Sequence, residues 1–116
     1  MSTRSTGTHF ENIAADYLNQ HGLRLVARNV RLKTGEIDLI MRDSEFWVFI
    51  EVKFRFDTAF EHPLNQIRPG QLQRIRRSAQ VYLLQHGLCE YSTPCRFDVV
   101  AITAKPHDIV WIQDAF

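Results

Sequence analysis

Hydrophobic and polar residues alternate with two different periods along the chain, and these periods predict two helices and five strands. Apolar residues recur at helical spacing over residues 9–21 and again over 69–86. Five further segments have the period of two or the β-branched, aromatic composition of strands, at residues 23–30, 36–42, 46–54, 96–103 and 109–113. The resulting order, α-β-β-β-α-β-β, predicts an α/β domain of two or three layers with a mixed sheet.

Two segments lack either period. Residues 1–8 are polar, and we expect a flexible N-terminus there. Residues 55–68 mix charged residues with proline and asparagine, which indicates a long loop. A chain of 116 residues is long enough for one domain with a real core. We therefore expect a single domain over residues 9–116.

Charged residues interrupt the most apolar strands. The segment 46–54 is almost wholly apolar, as expected of a strand that is buried on both faces, yet it contains Glu51 and Lys53. Side chains two residues apart on a strand lie on the same face, so Glu51 and Lys53 are neighbours. Asp38 lies in the preceding strand. If the two strands are adjacent in the sheet, the carboxylates of Asp38 and Glu51 meet at one place.

Two carboxylates at one place repel each other unless one is protonated or a cation lies between them. Mg²⁺, or Mn²⁺, binds to one or two carboxylates together with water and phosphate oxygens. A neighbouring lysine can orient a water molecule or stabilise charge on a phosphoryl group. The set therefore favours phosphodiester hydrolysis. A salt bridge between Glu51 and Lys53, with Asp38 as an acid near a turn, is the alternative.

The composition limits the partners of the chain. The formal net charge is +1, with 14 basic and 13 acidic residues, so a nucleic acid would have to bind to a local basic patch. Arg68, Arg74 and Arg77 near the start of the second helix are candidates for that patch, and a solvated face is their alternative role. No apolar run approaches the roughly 18 residues of a membrane span, and no signal peptide is evident. We expect a cytoplasmic protein with no membrane partner.

Several segments together carry a family resemblance. The most specific are Gly35-Glu36-Ile37-Asp38-Leu39-Ile40 and Val48-Phe49-Ile50-Glu51-Val52-Lys53, and weaker matches lie in both helices and near the C-terminus. With these segments, nearly the whole chain resembles the YraN family of small bacterial proteins. That family is assigned to the PD-(D/E)xK nuclease-like superfamily and is related to archaeal Holliday-junction resolvases.

The resemblance implies a restriction-endonuclease-like αβββαβ core, with a mixed central sheet flanked by helices. It implies metal ligation by Asp38 and Glu51, and it makes Lys53 the catalytic lysine. The acid that resolvase-like members carry in the first helix falls on Glu11. From the residues alone, Glu11 could instead be a solvated acid that is favoured by the helix dipole.

The implied activity is metal-dependent cleavage of DNA, with branched DNA as one candidate substrate. The alternative is a non-catalytic module that binds nucleic acid or a DNA-processing partner. Many relatives carry a lysine where this chain has Gln71, which can donate a hydrogen bond to a phosphate but has no charge. We count Gln71 with the three arginines as a candidate nucleic-acid contact. A homodimer is expected only by analogy with resolvases.

Overall fold

One mixed sheet lies between two helices in the computed structural model, which describes residues 3–55, 68–103 and 108–116. In chain order, the elements of these residues are α1 (Thr3–Gln20), β1 (Arg24–Leu32), β2 (Gly35–Asp43), β3 (Phe46–Arg55), α2 (Pro69–Gln85), β4 (Cys95–Thr103) and β5 (Ile109–Ile112). The strands lie side by side in the same order. Neighbouring strands are antiparallel, except that β3 and β4 are parallel and are connected through α2.

The two helices cover opposite faces of the sheet, so the domain has three layers. On one face, Ala14 and Leu18 of α1 pack with Val48 and Ile50 of β3. On the other face, Tyr82 of α2 packs with the remaining apolar side chains of β3, including Phe49. The alternation of side chains along a strand explains this division. Because β3 is apolar on both faces, it occupies the centre of the sheet, as the sequence predicts.

The predicted order of elements is confirmed, and the predicted bounds differ mainly at the N-terminus. Helix α1 begins at Thr3, whereas the apolar spacing predicts a start at residue 9 and a loose segment before it. Residues 3–8 extend the helix with polar positions, which carry no apolar period by which a helix could be detected. The predicted loop over residues 55–68 lies largely outside the described residues. Neither described helix is long and apolar enough to cross a membrane.

Strands β2 and β3 separate part-way along their length. Their pairing runs from Asp43 opposite Phe46 to Leu39 opposite Ile50. Beyond that point, β2 continues beside β1 alone, and β3 continues beside β4 as far as Arg55. We call this separation the fork. It matters for function because Asp38 and Glu51 are the first residues beyond the last pair.

A buried charge network joins the C-terminal segment to the sheet at the other end. The carboxylate of Asp98 is fully buried and accepts hydrogen bonds from the guanidinium of Arg96, the indole N–H of Trp111 and the backbone N–H of Asp114. Arg96 also pairs with Asp43, at 3.0 Å. A buried carboxylate with this many donors is well compensated. We therefore assign this network a role in stabilising the fold.

Candidate functional site

Asp38 lies at the fork with its carboxylate directed across the gap between the strands. Its Oδ2 accepts a hydrogen bond from the backbone N–H of Val52, at 2.8 Å. Val52 is beyond the last β2–β3 pair, so the carboxylate takes the place of a strand partner for that N–H. The same bond fixes Asp38 next to Glu51, the residue that precedes Val52.

Glu51 is held by two donors on one oxygen. Its Oε1 lies 3.3 Å from Nζ of Lys53 and 3.0 Å from Nε2 of Gln71, which donates a hydrogen bond from α2. The residue is 8% exposed. The alternation of β3 brings Glu51 and Lys53 to the same face, as predicted. The salt bridge that we considered as an alternative is therefore present, and it lies beside Asp38.

A cleft of about 260 Å³ opens over the two carboxylates. Its lining comes from the start of β2, from β3 and from the first turns of α2, and consists of Gly35, Glu36, Asp38, Glu51, Gln71, Arg74 and Ile75. The hairpin before β2 is tied to α2 by a hydrogen bond of 2.7 Å between the hydroxyls of Thr34 and Ser78. The wall of the cleft is therefore a fixed part of the fold.

Burial and mutual repulsion both oppose ionisation of the acids at the fork. Burial, and then the charge of Glu51, raise the pKa of Asp38 to about 8, although the Val52 N–H lowers it in part. Burial also raises the pKa of Glu51, and the neighbouring ammonium of Lys53 opposes this shift. Without a cation, both carboxyl groups therefore hold a proton more readily than free carboxyl groups do.

Glu11 reaches the same cluster from α1, on the opposite face of the sheet. Burial raises the pKa of its carboxyl group, and interactions with the side chains of Asn29 and Asp38 oppose this shift. The Oε1 atom of Glu11 is buried and has no hydrogen-bond partner among the described residues. The structure thus places Glu11 near Asp38.

Asn29 is a site residue that the sequence patterns did not single out. It lies within β1 but has a φ of 52°, in the left-handed region that asparagine tolerates better than most residues. The register of β1 and β2 places it opposite Asp38. An asparagine within an alternating strand was the available signal, since asparagine is depleted from strands.

The carboxylates of Asp38 and Glu51 fit a hard divalent cation whose remaining ligands are water and phosphate oxygens. Among residues 3–55, 68–103 and 108–116, no three histidine, cysteine or acidic side chains form a group that could hold a metal ion by themselves. Mg²⁺, however, is commonly bound through one or two carboxylates, with water and substrate phosphates completing its shell. Asp38 and Glu51 offer those two carboxylates beside open space.

The four predicted nucleic-acid contacts separate into two groups. Arg74 lines the cleft, and Gln71 lines it while donating to Glu51. Arg68 and Arg77 are exposed on or next to α2 but do not line the cleft. The structure therefore brings one arginine to the carboxylates and leaves two on the surrounding surface.

A known protein family matches the part of the chain that contains this site. The model of the family described as "Uncharacterised protein family UPF0102" matches residues 10–102, a range that contains the fork, the cleft and both helices in large part. The chain belongs to the UPF0102 family. A UPF0102 protein of Yersinia enterocolitica is 47% identical over 116 residues, which cover 100% of this chain and 97% of the relative.

Other UPF0102 proteins match over similar lengths. One from Shewanella denitrificans is 49% identical over 112 residues, covering 97% of this chain and 99% of the relative. One from Idiomarina loihiensis is 43% identical over 111 residues, covering 96% of each. These relatives are therefore similar to this chain along the whole domain, and their names give the family without an activity.

Proposed function

We propose that this UPF0102 protein hydrolyses phosphodiester bonds in nucleic acid, with DNA as the substrate class and a divalent metal ion as cofactor. The observation that supports this most strongly is the fork. It places Asp38 and Glu51 side by side on a cleft, with Lys53 in contact with Glu51. The order of elements and the central position of β3 are also those expected of a restriction-endonuclease-like core.

In this proposal, Asp38 and Glu51 hold Mg²⁺ or Mn²⁺. When bound, the ion supplies Lewis acidity toward a phosphoryl oxygen and makes a water molecule more acidic. A cation also offsets the burial and the repulsion from Glu51 that raise the pKa of Asp38. The carboxyl group of Glu11 lies near Asp38 and adds a third acid to the same place. Binding of the cation would therefore compensate the negative charge of these acids.

Lys53, beside Glu51, and Arg74, in the lining of the cleft, have distinct parts in the reaction. Hydrolysis forms a bond between phosphorus and a water oxygen and breaks the bond to the leaving oxygen; the water loses a proton and the leaving oxygen gains one. The ammonium of Lys53, fixed by Glu51, stabilises the negative charge that develops on the phosphoryl oxygens or orients the attacking water. Arg74 orients the phosphate from the opposite wall of the cleft.

The surface around the cleft supports a nucleic acid as the substrate. Arg68, just before α2, and Arg74 and Arg77, in its N-terminal half, place three positive charges in this region of a protein of net charge +1. Contacts to phosphates fix the register of a nucleic acid without reading its sequence. Branched DNA with two symmetric strands would require a homodimer, which sedimentation in the presence of DNA would detect.

Cleavage assays test the proposal. The protein is incubated with junction, flap, single-stranded and duplex DNA in Mg²⁺, Mn²⁺ or EDTA. We expect metal-dependent cleavage of at least one substrate and its loss in Glu51→Ala. Glu45→Ala is the matched control, because Glu45 is an exposed acid in the turn before β3. Cleavage that persists in Glu51→Ala would refute the site.

A second candidate is a module that binds nucleic acid without cleaving it. The near-neutral net charge and the uncharged Gln71 in the cleft favour this function. It predicts DNA affinity that falls steeply with salt, with no cleavage of any of the four substrates in either metal.

A further inference from the structure

Gln71 contacts Glu51, a buried acid of the cleft. Its Nε2 donates to Oε1 of Glu51 at 3.0 Å, and the residue is partly buried in the first turn of α2. Lys53 contacts the same oxygen at 3.3 Å. Among the described residues, no hydrogen bond reaches the other oxygen, Oε2. Gln71 and Lys53 therefore both contact Oε1 of Glu51 rather than Oε2.

We infer that Gln71 is a positioning residue that fixes the rotamer of Glu51 and leaves Oε2 available to a divalent cation in the cleft. The inference rests on the proposed function and deepens it. A carboxylate that shares one oxygen between two fixed donors cannot rotate freely, so less ordering is needed when a cation binds. Removing a group that hydrogen-bonds to a metal ligand typically weakens metal affinity by about 10- to 100-fold.

The neutrality of Gln71 is part of this role. An amide orients Glu51 without adding positive charge, so Asp38 and Glu51 together keep their attraction for a cation. A lysine at the same position would also reach Glu51, but its ammonium would compete with the cation and repel it. Gln71 is thus suited to hold the carboxylate while Lys53 supplies the positive charge beside it.

Metal affinity without nucleic acid separates this role from a phosphate contact. Mn²⁺ is titrated by calorimetry into the wild type, Gln71→Ala, Gln71→Lys and Gln73→Ala, with circular dichroism to confirm folding. Gln73 is an exposed glutamine two residues away and serves as the control. We expect about tenfold weaker binding for Gln71→Ala, a greater loss for Gln71→Lys, and no change for Gln73→Ala. Wild-type affinity in Gln71→Ala overturns the inference.

A second measurement shows which claim fails. If the wild type binds Mn²⁺, Glu51→Ala does not, and Gln71→Ala binds as the wild type does, only the inference fails. If the wild type binds no Mn²⁺, the proposed metal chemistry and the inference fail together. The contact itself is tested by NMR: Glu51→Ala should move the side-chain amide resonances of Gln71 toward those of Gln73. Unmoved resonances would also overturn the inference.

Discussion

The carboxylate of Asp38 accepts a hydrogen bond from the backbone N–H of Val52, 2.8 Å away, at the place where β2 and β3 separate. One side chain thus satisfies an N–H that the sheet no longer pairs, and it is held beside Glu51 by the same bond. The separation of the strands and the meeting of the acids are therefore one structural feature. Several expectations depend on it.

The stability of the metal-free protein should fall as the pH rises from about 4 to 8. The pKa of Asp38 is raised from 3.8 to about 8 in the folded protein. Between these values the folded state holds a proton that the unfolded state has released, so raising the pH favours unfolding. The free energy of unfolding should fall by at most about 1.4 kcal/mol per pH unit from this group. Denaturant titrations in EDTA at several pH values measure it.

Asp38→Asn should flatten that dependence, because asparagine stays neutral and can still accept the bond from Val52. Some slope should remain, since the pKa values of Glu11 and Glu51 are also raised. Asp16→Asn, at an exposed position of α1, should keep the wild-type slope. An unchanged slope in Asp38→Asn would show that Asp38 ionises normally in the folded protein.

Lys53→Ala should separate catalysis from metal binding. Removing the ammonium takes away a positive charge 3.3 Å from Glu51, so Mn²⁺ should bind at least as tightly as in the wild type. The cleavage rate should nevertheless fall about 100- to 1,000-fold, the usual cost of losing one group that stabilises developing charge. Calorimetry and single-turnover kinetics measure the two quantities. A parallel loss of metal affinity and rate would assign Lys53 to holding Glu51 instead.

Arg74→Ala should weaken binding to DNA of any sequence. Arg74 is the arginine that lines the cleft, and one phosphate contact contributes about one unit to the slope of log affinity against log salt concentration. Fluorescence anisotropy at several salt concentrations, in EDTA to prevent cleavage, measures that slope. Arg24→Ala makes the same charge change at an exposed position of β1 and should leave the slope unaltered. Equal effects of the two variants would indicate only a general charge effect.

Asp98→Ala should destabilise the fold without acting on the site. The substitution leaves Arg96 and Trp111 without their buried acceptor, which typically costs about 3–5 kcal/mol. Asp43→Ala removes a more exposed partner of Arg96 and should cost about 1 kcal/mol or less. Chemical denaturation gives both values. Equal, small losses would mean that the network contributes little to stability.

The sequence was sufficient for the order of elements and for the face on which Glu51 and Lys53 lie. Both follow from local periods, and the apolar character of β3 made its central position predictable. The separation of β2 from β3 was not predictable, because it depends on where a ladder between two strands ends. The contact of Gln71 with Glu51 was hidden for the same reason, since it joins α2 to β3 across 20 positions of sequence.

Asn29 shows a different limit of prediction from sequence. Its left-handed backbone conformation is a local property, and asparagine was a usable hint of it. Its interaction with Glu11, however, depends on how α1 packs on β1 and β2. Patterns in one chain locate residues on elements, whereas the pairing of side chains from different elements is a property of the packed domain.

Anomalous diffraction from a crystal soaked in Mn²⁺ tests the central claim most directly. A peak that contacts carboxylate oxygens of both Asp38 and Glu51 is the expected result, and the same soak of Glu51→Ala crystals should lack it. A well-ordered cleft with no peak at Mn²⁺ concentrations that support cleavage, or a peak bound elsewhere on the domain, would contradict the assignment of the metal to these two residues.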